Sequence, residues 1–538
     1  MSPTKEQINH PHVDCVVIGS GVAGALVAKR LSQSGINVQI LEAGGTIERQ
    51  QAVERYEHAW NRNLTSPFPD WPKADYPLEN SAEKYYGNSG TTNYRPSFLK
   101  LVGGTTWHWT GITPRFLPAD FEMQHLYKVG IDWPITYTDL EPYYVQAEHA
   151  LGVAGNSQDN HGSPRSADYP MPAIPLPYSD QVIAKRLQPY NITIDALPAA
   201  RNSRDYAGRP QCCGHGTCTP ICPIGASYSA NVDVQKAINH GAHLTDHAVV
   251  YRFDINEQGN ISRAYFKRPD GHSNSITANF FVLACNSIET PRLMLLAAQE
   301  ACPQGLANRS GMVGKNLMDH VLFQASYRLD TPLYMGRGPL SVGTILQGRA
   351  GSFRSEYAAA KIFLGNDRNA AKVANDLLSE AKNWPNLLEH MRHKLIHQGV
   401  IGGEVEQLPM ESNRLTLDKS RVDGHGFALP TINLQLSSYT EKGLEKWQTF
   451  THDLIHKIGG SELQSGFSLT SHHPCGTARM GLDPTTSVVN AQCKSHDHDN
   501  LYVASSSVFP TMGTANPTLT IAALALRIAD DLKKRIKA

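Results

Sequence analysis

Three observations predict a mixed α/β fold, α+β overall. A βαβ pattern opens the 538-residue chain, a glycine fingerprint sits inside it, and strand and helix patterns return in the middle and at the far end. Val13–Ile18 is a short apolar run rich in Val, as a buried parallel strand requires. It runs into Gly19-Ser20-Gly21-Val22-Ala23-Gly24, followed by a helical pattern to about Ser34 and a stop at Gly35. A second strand, Val38–Leu41, ends at Glu42. Gly19 permits the tight turn, Gly21 lets the backbone approach a pyrophosphate, and Gly24 lets helix and strand pack closely. The pyrophosphate then meets the helix N-terminus, and Glu42 fits an acceptor for ribose hydroxyls. The fingerprint alone does not separate FAD from NAD.

Further along, short strands are expected over Leu244–Phe253, Ile261–Lys267 and Phe280–Leu283, then a helix around Pro291–Ala298. Residues 355–400 read as helical and 413–436 as alternating strands. A last strand, Leu501–Ala504, precedes a helix from Pro517 with Asn516 as its N-cap. Residues 153–180 hold five prolines and read as a loop. The expected organisation is a discontinuous Rossmann-like nucleotide-binding domain from 1–100, 225–325 and 465–538. Residues 101–224 form a covering region, and 326–464 an inserted substrate domain on an antiparallel sheet flanked by helices.

Four of nine cysteines, Cys212, Cys213, Cys218 and Cys222, fall within one short run. Thiolates this dense read as ligands of a metal or an iron–sulfur cluster. A zinc site is the competing reading, although zinc ligands more often come as two separated pairs. The other cysteines are scattered, and Cys15 and Cys285 lie in apolar runs as small hydrophobes. A formal net charge of zero gives no global pull toward nucleic acid or an anionic membrane. No stretch approaches the roughly 20 apolar residues of a membrane span. The first residues lack the apolar centre of a secretory signal, so any export is expected to depend on a partner.

Two C-terminal segments narrow the reading. They are Ser471-His472-His473-Pro474-Cys475-Gly476-Thr477 and Thr514-Ala515-Asn516-Pro517-Thr518-Leu519-Thr520. With the fingerprint, Val102-Gly103-Gly104-Thr105-Thr106-Trp107-His108 and Asn286-Ser287-Ile288-Glu289-Thr290-Pro291-Arg292, they resemble the glucose–methanol–choline (GMC) family of FAD oxidoreductases. Ala200-Arg201-Asn202-Ser203-Arg204 and the cysteine run further resemble the large subunits of bacterial sugar dehydrogenases of that family, which oxidise glucose, fructose, gluconate or glucosides.

The resemblance implies a GMC-type fold with FAD held by Gly19, Gly21, Gly24, Glu42, Gly103, Gly104, Thr105, His108, Val250, Asn516 and Thr518. It implies a [3Fe-4S] cluster on Cys212, Cys218 and Cys222, with Cys213 as the spare thiol. His473 becomes the catalytic base and Asn516 its partner on the substrate oxygen, while His472 is expected to point away. A base that titrates near pH 6.5 suits removal of a hydroxyl proton. The positive N-terminus of the last helix would face the flavin pyrimidine. His108 aligns with a histidine that some members link covalently to flavin; otherwise it packs near the ring.

The implied reaction oxidises a secondary alcohol or hemiacetal of a sugar, glycoside, polyol or aldonic acid, with electrons leaving through the cluster. The chain has no Cys-x-x-Cys-His haem site, so a haem must sit on another chain. The implied partners are a small chaperone-like subunit carrying an export signal, for periplasmic delivery, and a cytochrome c subunit. Without them the expected location is cytoplasmic. An oxygen-using GMC oxidase with a structural or zinc-binding cysteine run, and a non-catalytic electron-transfer subunit, are the alternatives. The catalytic segment departs from the Asn-Asn-His of glucose- and fructose-oxidising members, which leaves the sugar open.

Overall fold

The computed structural model describes residues 12–60, 62, 64–69, 85–90, 94–159, 161–366, 370–379 and 384–538. The residues read for an export signal lie outside them.

The fingerprint folds as its pattern dictates. Strand His12–Ile18 is followed by helix Val22–Ser32 and strand Val38–Leu41. The two strands pair in parallel, Cys15 opposite Val38 and Ile18 opposite Leu41. Their sheet has seven strands, drawn from three distant stretches of chain. Strand Ser273–Leu283 is its hinge: residues 273–277 pair antiparallel with Ile261–Lys267, and the end of the strand pairs in parallel with Leu501–Val503. The same strand lies parallel to His12–Ile18, with Leu283 opposite Ile18. Only its last residues are wholly apolar, which is why composition marks only Phe280–Leu283.

The expected strand Leu244–Phe253 is two strands, His243–Thr245 and Val249–Ile255. His247, at φ 50°, turns the chain between them. The first pairs with Val38–Leu41 and the second with Ile261–Lys267. The middle helix runs over Asn286–Leu296 and so starts before Pro291. Asn286 Oδ1 accepts the N–H groups of Ile288 and Glu289, satisfying its first turn. Pro291 has no N–H for the Ser287 carbonyl four residues back. Thr477 Oγ1 donates to that carbonyl instead, at 2.8 Å, which ties this helix to the segment that carries His472 and His473.

A second sheet of six strands is antiparallel throughout, in the order Ser461–Ser468, Val321–Arg328, Gln398–Val405, Ala360–Gly365, Gly343–Ile345, Asp195–Ala196. The positions expected to separate domains, 325/326 and 464/465, fall inside its edge strand Ser461–Ser468 and the neighbouring strand Val321–Arg328. Helix Ser438–Lys457 covers it, burying Tyr439, Leu444, Trp447, Leu454 and Ile455. Two of its strands lie where residues 355–400 read as helical; among the described residues the α-helices there are Ala370–Ser379 and Leu387–His397. Long-range pairing overrides local propensity at both strands. In Gln398–Val405, Gly399 and Gly403 leave room for the Tyr327 hydroxyl and the Phe323 ring, which a Cβ would meet at 2.3 and 2.5 Å.

Strands Arg414–Val422 and Ala428–Asn433 form the expected pair. The last helix spans Thr518–Lys537, with Pro517 at the N-cap position and no side-chain cap. The capping role expected of Asn516 is not made, because its side-chain amide is engaged elsewhere.

Gly24 generates the first prediction. A Cβ there would lie 1.9 Å from the Gly19 carbonyl oxygen, which is backbone and cannot yield. Gly24→Ala is expected to lower stability by about 3 kcal/mol or more, the upper range of overpacking. A denaturant titration that moves less than this shows that the helix can slide off the strand.

Candidate active site

One cleft joins the two ends of the sequence. Gly19, Gly21, Glu42 and Val250 line one part, and His472, His473, Pro474, Pro517 and Thr518 the other, with Gly104 and Thr105 between. Glu42 Oε2 accepts from Ser20 N and Ser20 Oγ at 2.8 and 2.6 Å, and Oε1 accepts from Gly44 N at 2.9 Å. Burial raises this carboxyl, against these hydrogen bonds. Gly103 N donates to Ser20 Oγ, joining the second glycine segment to the first. Gly104 sits at φ 57°, where an added Cβ would come within 3.1 Å of Gly21 Cα. A Cβ on Gly21 itself meets nothing within 4 Å. The backbone at Gly21 is therefore open to the cleft, as a pyrophosphate cradle needs, and the chain fits an FAD there. Among the residues expected to hold FAD, Gly24, Gly103, His108 and Asn516 do not line the cleft. His108 stands edge-on to Phe68, its imidazole lowered to about 3 by burial and then by His472.

His473 and Asn516 come together from 43 residues apart, with Asn516 Nδ2 3.1 Å from His473 Nε2. Hydrogen positions follow from partners that can act in only one way. His320 Nε2 faces the Gly513 carbonyl at 2.9 Å, so it donates and Nδ1 of His320 is bare. His473 Nδ1, 3.0 Å from that bare nitrogen, must donate to it. The remaining ring nitrogen, His473 Nε2, carries a lone pair. On the other side, Lys361 Nζ donates to Asn516 Oδ1, which turns the Asn516 amide hydrogens toward His473. Here Asn516 Nδ2 donates to that lone pair, and a hydroxyl that replaced this hydrogen bond could give its proton to His473 Nε2 while accepting from Asn516 Nδ2.

Sequence reasoning found the pair but not its support. Lys361 is ion-paired with Glu404 at 2.7 Å, and Glu404 Oε1 lies 3.9 Å from His473 Nδ1. Ser471 Oγ donates to Glu404 Oε1 at 2.6 Å. Asp319 holds the segment Ser471–His473 by its backbone: Oδ1 accepts from His473 N at 2.9 Å and from Ser471 N at 3.3 Å. Asp319 Oδ2 accepts from Tyr94 and Thr470 hydroxyls, each at 2.8 Å. His320, Lys361 and Glu404 carry no motif, and only their register in the second sheet and its entry strand brings them here. His320, Glu404 and His473 offer ligand atoms within 4.8 Å of one another. The Lys361 cation against Glu404, and the hydrogen bond between the two imidazoles, make this a proton-handling group as it stands.

The expectation that His473 titrates near neutral pH is corrected. Burial pushes its imidazole down to about 3, with Glu404 pulling the other way. Asp319 moves oppositely, raised by burial to about 6 against its four hydrogen bonds. His472 is corrected as well, since its ring lines the cleft rather than pointing away from it. Its φ of 62° turns the side chain toward Ser97, whose N–H donates to His472 Nδ1 at 3.1 Å.

The cysteine run folds over the other side of the cleft wall. Cys218 and Cys222 are buried, Cys212 is partly buried and Cys213 is exposed. Cys212 N donates to Asn202 O, which anchors the run's start. Backbone N–H groups of Gly214 and Ser227 donate to the sulfurs of Cys212 and Cys222 at 3.4 and 3.5 Å. Arg49 holds the Cys222 carbonyl at 2.7 Å and lies 4.9 Å over the Trp107 ring. Ile221 shares one apolar core with Trp107, Leu99 and Leu101, and Leu99 lines the cleft.

Two predictions follow from this geometry. Gly21→Ala has no steric conflict with the protein, so its unfolding midpoint should stay at the parental value while retention of FAD through gel filtration falls several-fold. Unchanged retention places the pyrophosphate away from Gly21. For pH, protonating Asp319 puts a donor where only N–H and O–H donors face it, so kcat/KM should fall with acid below about pH 6, as the carboxyl titrates. His473 stays neutral until about 3. Asp319→Asn should remove the limb near pH 6; a limb that persists there belongs to His473.

Comparison with known proteins gives this geometry a family. Models of GMC oxidoreductase segments match residues 192–322 and 409–525. The chain is 36% identical to the fructose dehydrogenase large subunit of Gluconobacter japonicus, over 97% of this chain and 98% of that protein. It is 27% identical to the 2-methyl-1,2-propanediol dehydrogenase of Mycolicibacterium austroafricanum, over 97% of this chain and 95% of that one. Its fold matches the crystal structure of pyridoxine 4-oxidase from Mesorbium loti with a TM-score of 0.66 at 18% identity, covering 96% and 99% of the two chains. With a cleft shaped for a dinucleotide, a His–Asn pair at its end and this likeness over nearly its whole length, the chain belongs to the GMC oxidoreductase family, an enzyme family whose cofactor is FAD.

Proposed function

We propose that this chain is an FAD-dependent dehydrogenase that oxidises a secondary alcohol or hemiacetal of a sugar, glycoside, polyol or aldonic acid to the carbonyl. The observation that carries the reading is the lone pair on His473 Nε2, held beside the Asn516 amide hydrogens at the end of the FAD cleft. The likeness to a fructose dehydrogenase large subunit supports a sugar-like substrate. The bound FAD supplies the acceptor for the hydride that leaves the substrate carbon.

The chain's own residues do the rest. Asn516 Nδ2 orients the substrate oxygen, and His473 Nε2 takes its proton. Asp319 keeps His473 at the cleft by holding its backbone N–H. Burial of the imidazole keeps it neutral and ready to accept at working pH.

We further propose that Cys212, Cys218 and Cys222 hold a [3Fe-4S] cluster, with Cys213 unliganded. Zinc would draw thiolates to about 2.3 Å from one ion. Cys218 and Cys222 are buried, Cys212 is partly buried and Cys213 is exposed, which supports three inward ligands and an outer spare thiol. Such a cluster supplies one-electron transfer. Its place against the apolar core that reaches Leu99 supports a route from the cleft outward. The same reading makes 1–100, 225–325 and 465–538 the FAD-binding domain, 101–224 the cluster-bearing cover and 326–464 the substrate domain. It includes a small subunit that exports the folded chain to the periplasm and a cytochrome c subunit as acceptor.

An anaerobic absorption spectrum of the purified chain, before and after adding sugars and polyols, tests this. Flavin bands over a broad iron–sulfur background should bleach with at least one member of the panel. In Cys218→Ser the background and the acid-labile sulfide should be lost while substrate still bleaches the flavin. Flavin bands with no background in the parent move the oxygen-using oxidase reading ahead, with structural or zinc-binding cysteines.

A further inference from the structure

Lys361, Glu404 and His320 stand behind the catalytic pair, almost wholly buried. Lys361 lies on strand Ala360–Gly365 and Glu404 on strand Gln398–Val405, directly opposite one another in the register. The ion pair is therefore written into the sheet, on the face opposite the apolar side chains Ile362, Leu364, Ile401 and Val405. Two charges taken out of water are weak stabilisers there, and an apolar pair of similar size often serves stability as well or better. Their placement answers a different need, because both reach the His473–Asn516 pair.

We propose that Lys361, Glu404 and His320 are positioning residues that fix the hydrogen order of this pair, and that Glu404 is the counter-charge for the imidazolium formed during turnover. The inference rests on His473 being the base, as argued above. Lys361 can only donate, so Asn516 must present its oxygen to it and its amide hydrogens to His473. With the amide reversed, Asn516 Oδ1 would face the His473 lone pair and nothing would donate to the substrate oxygen. His320 is fixed in turn by the Gly513 carbonyl, and so keeps the hydrogen of His473 on Nδ1.

When the substrate O–H bond breaks, the proton forms an Nε2–H bond and the electron pair stays on oxygen. A positive charge then appears on a buried ring. The carboxylate 3.9 Å from His473 Nδ1 is the nearest group able to balance it. Burial raises the Glu404 carboxyl, but Lys361 and the two imidazoles hold it well below the usual carboxylate range, so it is charged before the proton arrives.

The test uses the holoenzyme with its best sugar or polyol and an artificial acceptor, in H2O and D2O. Glu404→Gln keeps the shape and removes the charge. It should lower kcat at least about tenfold with KM within about threefold, and raise the solvent isotope effect on kcat as proton transfer becomes limiting. Glu404→Asp should recover part of kcat. Flavin content and unfolding midpoint report folding in each variant. Because Glu404→Gln leaves Lys361 unpaired, the neutral double variant Lys361→Met/Glu404→Gln is the second arm. A folded double variant that stays slow supports the inference, and one that regains parental kcat overturns it, as does parental kcat with an unchanged isotope effect in Glu404→Gln. His473→Ala in the same assay separates the two readings. If it keeps turnover, the base assignment fails; if it is inactive while Glu404→Gln is parental, only the positioning role fails.

Discussion

Everything at the site depends on where strand Ser273–Leu283 ends. Leu283 lies opposite Ile18 on one side and Val503 on the other, so three parallel strands finish at one level. Their continuations are the Gly19 turn, the Asn286 helix start and the Ser505–Ser506 turn, all at the same rim of the sheet. Open α/β sheets place ligands at the carboxyl ends of their strands. Here that rim gathers segments nearly 500 residues apart in sequence, a distance no local signal can bridge. The links across it are specific: Ser287 Oγ meets Ser506 Oγ at 2.8 Å, and Gly476 N donates to Ser506 O.

The second sheet supplies what the first lacks. A Rossmann-like rim can cradle a dinucleotide, but it cannot set the protonation of a base on a loop. Strands Val321–Arg328, Ala360–Gly365 and Gln398–Val405 bring His320, Lys361 and Glu404 against that loop from one side. Asp319 grips its backbone, and the Gly513 carbonyl completes the imidazole chain. Burial then has two opposite effects on neighbouring groups. It holds the His473 imidazole neutral and lifts the Asp319 carboxyl toward physiological pH. A desolvated charge is disfavoured in either case, which lowers a base of this kind and raises an acid.

The cysteine run belongs to this arrangement by contact. Its Ile221 lies in the same core as Trp107 and Leu101, next to the glycines that touch the fingerprint. Gly214 and Gly216 let the run lie against residues 336–338, where a Cβ would meet the backbone at 3.3 and 3.0 Å. The run is thus held between the Ile221 core and the loop at residues 336–338.

Much of this was legible without coordinates. The βαβ unit, Glu42, the strand Ile261–Lys267 and the pair Arg414–Val422 with Ala428–Asn433 follow from period and punctuation. His473 and Asn516 followed from motif resemblance, and the cysteine run from its density. The misreadings share one cause. Ala360–Gly365 has one β-branched residue, Gln398–Val405 has three glycines, and both have helical neighbours, so only their partners make them strands. Asn516 has the sequence of a helix cap, but a buried lysine claims its oxygen. His473 looks like an ordinary histidine until burial shifts its proton affinity. The sequence by itself determined the nucleotide-binding unit, the reactive residue types and the dense thiols, because these depend on local geometry and chemical identity. Only the tertiary structure decided which nitrogen of His473 bears the lone pair and what charge faces it. Those properties come from hydrogen bonds and burial among side chains that share no neighbourhood in the chain.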